Sequence, residues 1–217
     1  MAINNTLHSK EVLITCGPTW VPIDDVRVIS NRSTGELGNA IACELLKEKA
    51  RVTLLQGPTT HVLKCTGVRV LKFQFYDELS KLIEHELKKK NYDSVIHAAA
   101  VSDYKPLNTY SSKLSSEFSK WKLTLVPTEK IIEKIKKLNP KTFLVGFKLE
   151  SRMEKKMILL KAQNLIKKAN CDLVVANCLS GKNYMAYIID TERNILAQMT
   201  TKQEIAKNLA NILREKI

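Results

Sequence analysis

Short apolar runs alternate with longer helical segments along this chain, and this alternation constrains the fold more than any other feature. Six runs have the length and composition of strands, and four segments carry apolar residues at helical spacing. Strands that alternate with helices form right-handed βαβ units, so we predict an α/β fold with a doubly wound, mostly parallel sheet. The predicted strands are residues 12–15, 52–55, 68–71, 94–98, 142–146 and 173–176, and the predicted helices are residues 37–49, 77–90, 129–138 and 153–168.

The C-terminal part of the chain follows a different pattern. Two further strand-type runs, residues 184–189 and 195–199, are close enough to form a hairpin that turns at residues 190–194. Thr201 and Glu204 then have the spacing of a capping box, which predicts the start of a last helix. We therefore expect a C-terminal hairpin followed by a helix.

Residues 104–127 interrupt the alternation of strands and helices. This segment, called the flap below, is rich in Ser and Lys and ends in the alternating run Trp121, Leu123 and Leu125. Long connections of this kind are often functional, so we predict a mobile flap followed by an edge strand or a dimer-forming strand. We find no internal repeat and no linker, so residues 1–217 are predicted to form a single domain.

The positive charge of the chain could indicate a nucleic-acid-binding protein. There are 35 Lys and Arg against 22 Asp and Glu, which gives a formal net charge of +13. The lysines cluster in segments with helical spacing, and the 6% of aromatic residues do not alternate with them, which favours solvated helix faces and an anionic small substrate. A basic nucleic-acid-binding module stays open as an alternative.

Cysteine usage and hydrophobicity exclude several other classes. The 44% of hydrophobic residues exclude a disordered chain. The five cysteines are an odd number without a Cys-x-x-Cys pair, which argues against a disulfide framework and against a zinc cluster. No apolar stretch approaches the roughly 20 residues of a membrane span. The first ten residues are polar, so we expect a cytoplasmic protein.

Candidate ligand-binding residues follow the predicted strands. In an open parallel sheet, ligands bind beyond the carboxyl ends of the strands. Gly17 follows the first strand, and Ser33, Gly35 and Gly38 lead into the first helix, where free amides could bind a phosphate group. The alternative for Gly38 is close packing of this helix on a strand.

The later strand ends carry further candidates. Ala99 and Asp103 follow the fourth strand, and Asp103 could accept a hydrogen bond from a base or ribose, hold a metal ion or cap a turn. Phe147 follows the fifth strand and could stack on a base or belong to the core. Asn177 follows the sixth strand.

Two enzyme classes lack their usual motifs in this sequence. No Ser lies in a Gly-x-Ser-x-Gly motif, which argues against an acyl-enzyme hydrolase. The Gly-x-Gly-x-x-Gly and Tyr-x-x-x-Lys motifs of nicotinamide-dependent enzymes are also absent. An NAD(P)-dependent oxidoreductase with a Rossmann-like fold remains the second enzymatic alternative.

Taken together, the motifs resemble those of the phosphopantothenate-cysteine ligases (phosphopantothenoylcysteine synthetases) of coenzyme A biosynthesis. The resemblance covers nearly the whole chain and is most specific in the block Asp-x-Val-Arg-x-Ile-Ser-Asn-x-Ser-x-Gly. The matching residues are Gly17, Pro18, Thr19, Pro22, Ile23, Asp24, Val26, Arg27, Ile29, Ser30, Asn31, Ser33, Thr34, Gly35, Gly38, Ala40, residues 99–104, Asn139, Pro140, residues 146–150 and residues 172–177.

The resemblance implies a homodimer of doubly wound, Rossmann-like subunits and a reaction in two steps. A nucleoside triphosphate, with Mg²⁺, would activate the carboxylate of 4'-phosphopantothenate as an acyl nucleotidylate and release pyrophosphate. The amine of L-cysteine would then displace the nucleoside monophosphate. We expect CTP as the nucleotide, since the chain lacks insertions associated with eukaryotic members that use ATP. A phosphopantothenoylcysteine decarboxylase, where present, is expected to be a separate chain.

The resemblance also implies roles for individual residues. Asn31 would hold the acyl nucleotidylate, Arg27 would order the loop around it, and Lys113 of the flap would reach the phosphates. The alternative for Asn31 is a cap of the following helix. Lys113 is the one flap lysine retained from a Lys-x-Lys-Lys pattern. The residues expected to bind the nucleotide are Gly17, Ser33, Gly35, Gly38, Ala99, Asp103, Lys113, Phe147 and Lys168, and Asn31 and Asn177 are expected to bind phosphopantothenate. No metal ligand is predicted from the protein alone.

Overall fold

The computed structural model describes residues 7–117, 119–150, 154–180 and 183–217. Its strands are β1 (Glu11–Cys16), β2 (Trp20–Pro22), β3 (Val28–Ser30), β4 (Arg51–Gln56), β5 (Arg69–Lys72), β6 (Ser94–His97), β7 (Tyr104–Pro106), β8 (Leu125–Pro127), β9 (Phe143–Glu150), β10 (Leu173–Ser180), β11 (Asn183–Asp190) and β12 (Ile195–Met199). Its helices are α1 (Glu36–Lys47), α2 (Tyr76–Lys89), α3 (Ile131–Leu138), α4 (Lys155–Ala169) and α5 (Lys202–Lys216). Residue 153, the predicted start of the fourth helix, lies outside the described residues.

Eight of these strands form one central sheet, in the order β12-β11-β10-β9-β6-β1-β4-β5. The six strands from β10 to β5 pair in parallel, and β11 and β12 pair antiparallel at one edge. The predicted doubly wound, mostly parallel sheet is therefore confirmed.

The sheet is buried on both faces, which explains the continuous apolar runs of its strands. Leu13 of β1 packs in a cluster with apolar residues of α2, α3 and α4. Its neighbours Val12 and Ile14 point to the other face and pack with residues of α1 and α5. Because helices cover both faces, a central parallel strand can be apolar at every position instead of at every second one.

The C-terminal hairpin and the cap of the last helix agree with the sequence pattern. The amide of Asp190 donates to the carbonyl of Asn194 at 3.2 Å, which closes the turn between β11 and β12. The hydroxyl of Thr201 accepts from the amide of Glu204 at 3.1 Å, and the Glu204 carboxylate accepts from the amide of Thr201 at 3.2 Å. The predicted capping box is confirmed.

One disulfide is present, although the cysteine count argues against a disulfide framework. Cys43 of α1 is bonded to Cys65, which lies in the loop between β4 and β5, with a Cα–Cα distance of 5.5 Å. Counting cysteines cannot reveal such a pair, because the two residues meet only when the loop folds back on α1. Cys16, Cys171 and Cys178 are buried thiols.

The predicted strand through Trp121, Leu123 and Leu125 is mostly wrong. The structure has a strand only at β8, which pairs antiparallel with β7 and begins at Leu125. One further bond extends this pairing, since the amide of Leu107 donates to the carbonyl of Thr124 at 2.9 Å, whereas the ring of Trp121 lies 5.3 Å from the guanidinium of Arg27.

None of the helices that the structure describes is long and apolar enough to cross a membrane.

Candidate functional site

The carboxyl ends of β1 and β6 lie side by side in the middle of the sheet. The chain leaves β1 through α1 on one face and reaches β6 from α2 on the other face, so the strand order reverses between these two strands. Ligands of doubly wound sheets bind at such a reversal point. The crevice between the two strand ends is therefore the candidate site.

Backbone hydrogen bonds across the crevice bring predicted site residues together. The amide of Ala100 donates to the carbonyl of Gly17 at 2.9 Å, and the amide of Thr19 donates to the carbonyl of Ala100 at 3.3 Å. The amide of Ala99 donates to the hydroxyl of Thr15 at 3.1 Å. Gly17 and Ala99, which are far apart in the sequence, thus lie on neighbouring turns.

Two glycines shape the start of α1, which faces the crevice. Gly35 precedes the helix with a φ of 72°, a conformation that strongly favours glycine, and the hydroxyl of Thr34 accepts from the amide of Glu36, the first helical residue, at 3.4 Å. The hydroxyl of Ser33 accepts from the amide of Gly35 at 3.4 Å. A Cβ atom at Gly38 would lie only 2.2 Å from the Cβ of Cys16, so Gly38 allows α1 to pack closely on β1.

The charge of Glu36 at the start of α1 is compensated by α5. The Lys202 ammonium forms a hydrogen-bonded ion pair with the Glu36 carboxylate and lowers the pKa of that carboxyl. A bare carboxylate would compete with an anionic ligand for the positive end of the helix dipole. The ion pair with Lys202, which sequence reasoning missed, reduces that competition.

Asn31 joins the loop before α1 to the loop after β6. Its Nδ2 donates to the carbonyls of Ala100 at 3.2 Å and Val101 at 3.0 Å, while the side chain stays exposed to solvent. The cap of the helix is Gly35, so Asn31 does not cap α1. Its side-chain amide is instead placed at the crevice.

Asp103 lies at the outer end of the same loop. Its side chain is 64% exposed and forms an ion pair with Lys130 at 2.5 Å. The backbone carbonyl of Asp103 accepts from the amide of Thr128, which joins this loop to the end of the flap. Within the described ranges, no group of three His, Cys, Asp or Glu side chains is arranged to hold a metal ion.

Phe147 and Asn177 lie on neighbouring strands, on the face of the sheet that α1 covers. Phe147 is half-buried and packs against the α1 and α5 cluster, and its register partner is Val175. The Nδ2 of Asn177 donates to the hydroxyl of Tyr184 at 3.2 Å. Burial raises the pKa of Tyr184, and the hydrogen bond from Asn177 lowers it by less. Tyr184 is a neighbour that the sequence analysis did not single out.

Arg27 connects the β2–β3 hairpin to the flap. Its Nη2 donates to the carbonyl of Leu114 at 3.3 Å, and its Nη1 lies 3.4 Å from the Asp24 carboxylate. Lys113 is the residue before Leu114 and is exposed. Arg27 therefore contacts the flap directly beside Lys113, at Leu114.

The structure does not bring Lys168 to the crevice. Lys168 lies in the last turn of α4, and this helix runs from the carboxyl end of β9 back to the start of β10. At a rise of 1.5 Å per residue, Lys168 is about 20 Å along the helix from Lys155. Topology alone could have predicted this, because a helix that follows a parallel strand ends at the opposite edge of the sheet.

A cavity of about 420 Å³ opens at the carboxyl ends of β4 and β5. Its lining includes Gly57, Thr59 and Lys72. Gly57 donates its amide to the carbonyl of Cys16 at 2.9 Å, so the cavity adjoins the turn after β1. It offers polar groups and one ammonium group next to the crevice.

Comparison with known proteins gives consistent matches over nearly the whole chain. A family model described as the DNA/pantothenate metabolism flavoprotein C-terminal domain matches residues 7–216. The coenzyme A biosynthesis bifunctional protein CoaBC of Thermococcus kodakarensis is 38% identical over 208 residues, which cover 94% of this chain and 51% of that protein. The chain thus spans about half the length of the curated relatives it matches.

Solved structures share the same fold. The DNA/pantothenate metabolism flavoprotein from Streptococcus pneumoniae has a TM-score of 0.85 at 27% identity, and the match covers 96% of this chain and 100% of that one. A mutant of Cab2 in complex with phosphopantothenate-cysteine has a TM-score of 0.79 at 20% identity, covering 95% of this chain and 87% of that one.

Proposed function

Since this chain belongs to the family of the DNA/pantothenate metabolism flavoprotein C-terminal domain, we propose that it joins 4'-phosphopantothenate to L-cysteine. The family membership agrees with the resemblance that the motifs indicate. Two similar proteins support the activity: a relative is a coenzyme A biosynthesis protein, and a structural neighbour was solved in complex with phosphopantothenate-cysteine. The product of the proposed reaction is phosphopantothenoylcysteine.

The convergence of the motif residues at one crevice carries this proposal. Gly17, Asn31, Gly35, Ala99 and Asp103 are spread over almost ninety positions of the sequence, and all of them lie on loops around the ends of β1 and β6. The loops around a strand-order reversal are where a doubly wound sheet binds its substrates. A purely structural role would not require these residues to share one edge of the sheet.

The proposed first step activates a carboxylate. A carboxylate oxygen of phosphopantothenate attacks the α-phosphorus of CTP, or of ATP, and pyrophosphate leaves, which gives an acyl nucleotidylate. The start of α1 supplies a helix dipole for the phosphates, and the amide of Gly35 can donate to them if it exchanges its bond to the Ser33 hydroxyl. Lys113 supplies positive charge from the flap. Phe147 and Asn177, on the face of the sheet that α1 covers, would contact the nucleotide and the substrate, respectively.

The second step forms the amide bond. The amine nitrogen of cysteine attacks the acyl carbon, the nucleoside monophosphate leaves, and the nitrogen loses a proton. Negative charge builds on the acyl oxygen during this attack, and the side-chain amide of Asn31 is a suitable donor to it. Both hydrogens of its Nδ2 are bonded to backbone carbonyls, so Asn31 must exchange one carbonyl for the acyl oxygen.

We propose Mg²⁺ as the ion that accompanies the triphosphate. The crevice offers the carboxylate of Asp103, which is paired with Lys130, and Mg²⁺ commonly takes one carboxylate together with phosphate oxygens and water. Asp103 is therefore the residue that would hold the ion. The chemistry that Mg²⁺ supplies is neutralisation of phosphate charge.

A direct assay tests the proposed activity. The protein is incubated with phosphopantothenate, cysteine, Mg²⁺ and either CTP or ATP, and pyrophosphate and the nucleoside monophosphate are measured. We expect equal amounts of both products, which appear only when phosphopantothenate is present. A thermal-shift screen of CTP, ATP and NADPH is the control for an oxidoreductase, since a ligand that binds the native state raises its apparent stability.

Asn31→Asp tests the second step. Aspartate has nearly the same size but replaces the donor with a charged acceptor, so the acyl nucleotidylate should accumulate, as measured by mass spectrometry of quenched reactions. The matched control is Asn108→Asp, since Asn108 is an exposed residue of the flap. If both half-reactions of Asn31→Asp fell by the same factor, Asn31 would act only by holding the loop against Ala100 and Val101.

We also propose that the protein is a homodimer. The support comes from the β7–β8 ribbon, where Tyr104 is 54% and Leu125 is 43% exposed. Large apolar side chains on a short, two-stranded edge are suited to pairing with another copy. Light scattering at micromolar concentration should give the dimer mass, and a monomer mass would disprove this.

A further inference from the structure

Asp24 is a buried carboxylate that the proposed chemistry does not use. It lies in the hairpin between β2 and β3, and the residue is 4% exposed. Its Oδ1 accepts from the amides of Val26 at 3.0 Å and Arg27 at 2.7 Å. Such bonds are local and occur at many turns that contain Asp or Asn. They account for only one of its two oxygens.

The second oxygen of Asp24 reaches a distant part of the chain. Oδ2 accepts from the amide of Leu114 at 3.3 Å, across 90 residues of sequence, and lies 3.4 Å from Nη1 of Arg27. Arg27 in turn donates to the carbonyl of Leu114. Both backbone polar groups of Leu114 are therefore bonded by one pair of side chains.

A third contact joins the same two segments. The amide of Tyr110 donates to the carbonyl of Ile23 at 3.1 Å. The flap is thus attached to the β2–β3 hairpin at Tyr110 and at Leu114, on either side of the exposed residues between them. Since the amide of Leu114 belongs to the peptide bond with Lys113, its bond to Asp24 restrains the backbone of Lys113 directly.

We propose that Asp24 and Arg27 form a clip on Leu114, and that Asp24 is a positioning residue that holds Lys113 at the crevice. The consequence for turnover rests on the proposed function, whereas the attachment of the flap does not. Burial raises the pKa of the Asp24 carboxyl, but its three amide donors and Arg27 together lower it more, so the carboxylate stays ionised at neutral pH. A charged acceptor makes stronger hydrogen bonds than a neutral one.

Asp24→Asn is the sharpest test of the clip. Asparagine keeps an oxygen for the local turn, but it loses the charge and presents an amide group where Oδ2 accepts from Leu114. We expect faster hydrogen exchange of residues 110–117 in the free protein. We also expect a lower kcat for pyrophosphate release, by between about tenfold and a hundredfold, because a misplaced catalytic group reduces the rate by such factors.

Asp25→Asn is the matched control. Asp25 is the next residue, carries the same charge and is exposed. This variant should leave both flap exchange and turnover at the wild-type level. If Asp25→Asn produced the same changes as Asp24→Asn, the effect would come from net charge and the proposal would be overturned.

A double-mutant cycle shows whether Asp24 acts through Lys113. In a Lys113→Ala background, Asp24→Asn should cause no further loss of turnover, because the group that it positions is already gone. If the double variant instead lost turnover by the product of the two single losses, Asp24 would not act through Lys113 and the positioning role would be overturned. If Asp24→Asn does not fold, Leu114→Pro removes the same amide donor from the flap side and should give the same exchange result.

Hydrogen exchange tests the clip and turnover tests the ligase activity, so failure of one proposal can be told from failure of the other. Should the wild-type protein lack ligase activity, faster exchange of residues 110–117 in Asp24→Asn would still support the clip. Unchanged exchange of this segment in both Asp24→Asn and Leu114→Pro would overturn the clip, whatever the enzyme does.

Discussion

Two walls of the crevice are held in place by different kinds of interaction. The wall at the start of α1 is held by close packing, because Gly38 lies against Cys16, which is only 1% exposed. The flap is held by a few polar bonds around Leu114, and its Trp121 is 41% exposed.

This difference predicts different sensitivities. A packed contact tolerates no added volume, because protein interiors have few voids. A segment held by hydrogen bonds to exposed backbone contributes little to global stability and can open locally. Changes in the α1 wall should therefore lower the free energy of unfolding, whereas changes in the flap should alter turnover and leave the fold intact.

Gly38→Ala should have the largest effect. The added Cβ would meet the Cβ of Cys16 at 2.2 Å, so α1 must move away from β1. We expect a loss of about 3 kcal/mol of unfolding free energy, at the upper end of the usual range for overpacking. Urea denaturation measures it, and Lys47→Ala at an exposed position of the same helix is the control. Unchanged stability would show that this wall is not tightly packed.

The second largest effect should be a loss of unfolding free energy in acid, caused by the buried His97. Burial lowers the pKa of His97, whose Nδ1 is 3.0 Å from the hydroxyl of Thr15, to about 4. The unfolded chain binds this proton near pH 6.5, so the contribution is complete above pH 6.5 and is lost as the pH falls towards 4, by roughly 3 kcal/mol in total. Denaturation at several pH values should show this slope, and His97→Gln should flatten it. If the unfolding free energies of the wild type and of His97→Gln depended equally on pH, the prediction would be wrong.

Lys113→Ala should separate activity from stability in the flap. Removal of one preorganised donor to a reacting group lowers the rate by on the order of a hundredfold. Pyrophosphate release measures the rate, and thermal denaturation should show a midpoint close to that of the wild type. Lys120→Ala, at another exposed flap lysine, is the matched control. Wild-type pyrophosphate release by Lys113→Ala would remove this lysine from the site.

Trp121→Leu should have the smallest effect. The Arg27 guanidinium lies 5.3 Å from the centre of the Trp121 ring, and an exposed cation–π contact is worth about 0.5–1 kcal/mol. We expect a slightly higher rate of hydrogen exchange in the flap and unchanged global stability. An effect as large as that of Asp24→Asn would mean that the aromatic contact, and not the clip, holds the flap.

The amino-acid sequence by itself determined the elements of the sheet. Buried parallel strands carry continuous apolar runs, and the last helix begins at a capping box of Thr201 with Glu204, so both features are visible within a few residues. The order of the motifs also indicated the family. These signals are local, or depend only on the order of residues along the chain.

Only the tertiary structure decided which distant groups meet. Asp24 contacts Leu114, Cys43 is bonded to Cys65, and Glu36 is paired with Lys202 because strand order and loop paths bring separate segments together. Trp121 alternates like a strand residue but lies against the guanidinium of Arg27, a contact between segments far apart in the sequence. Long-range contacts result from packing of the whole sheet, and no local pattern of residue types encodes their partners.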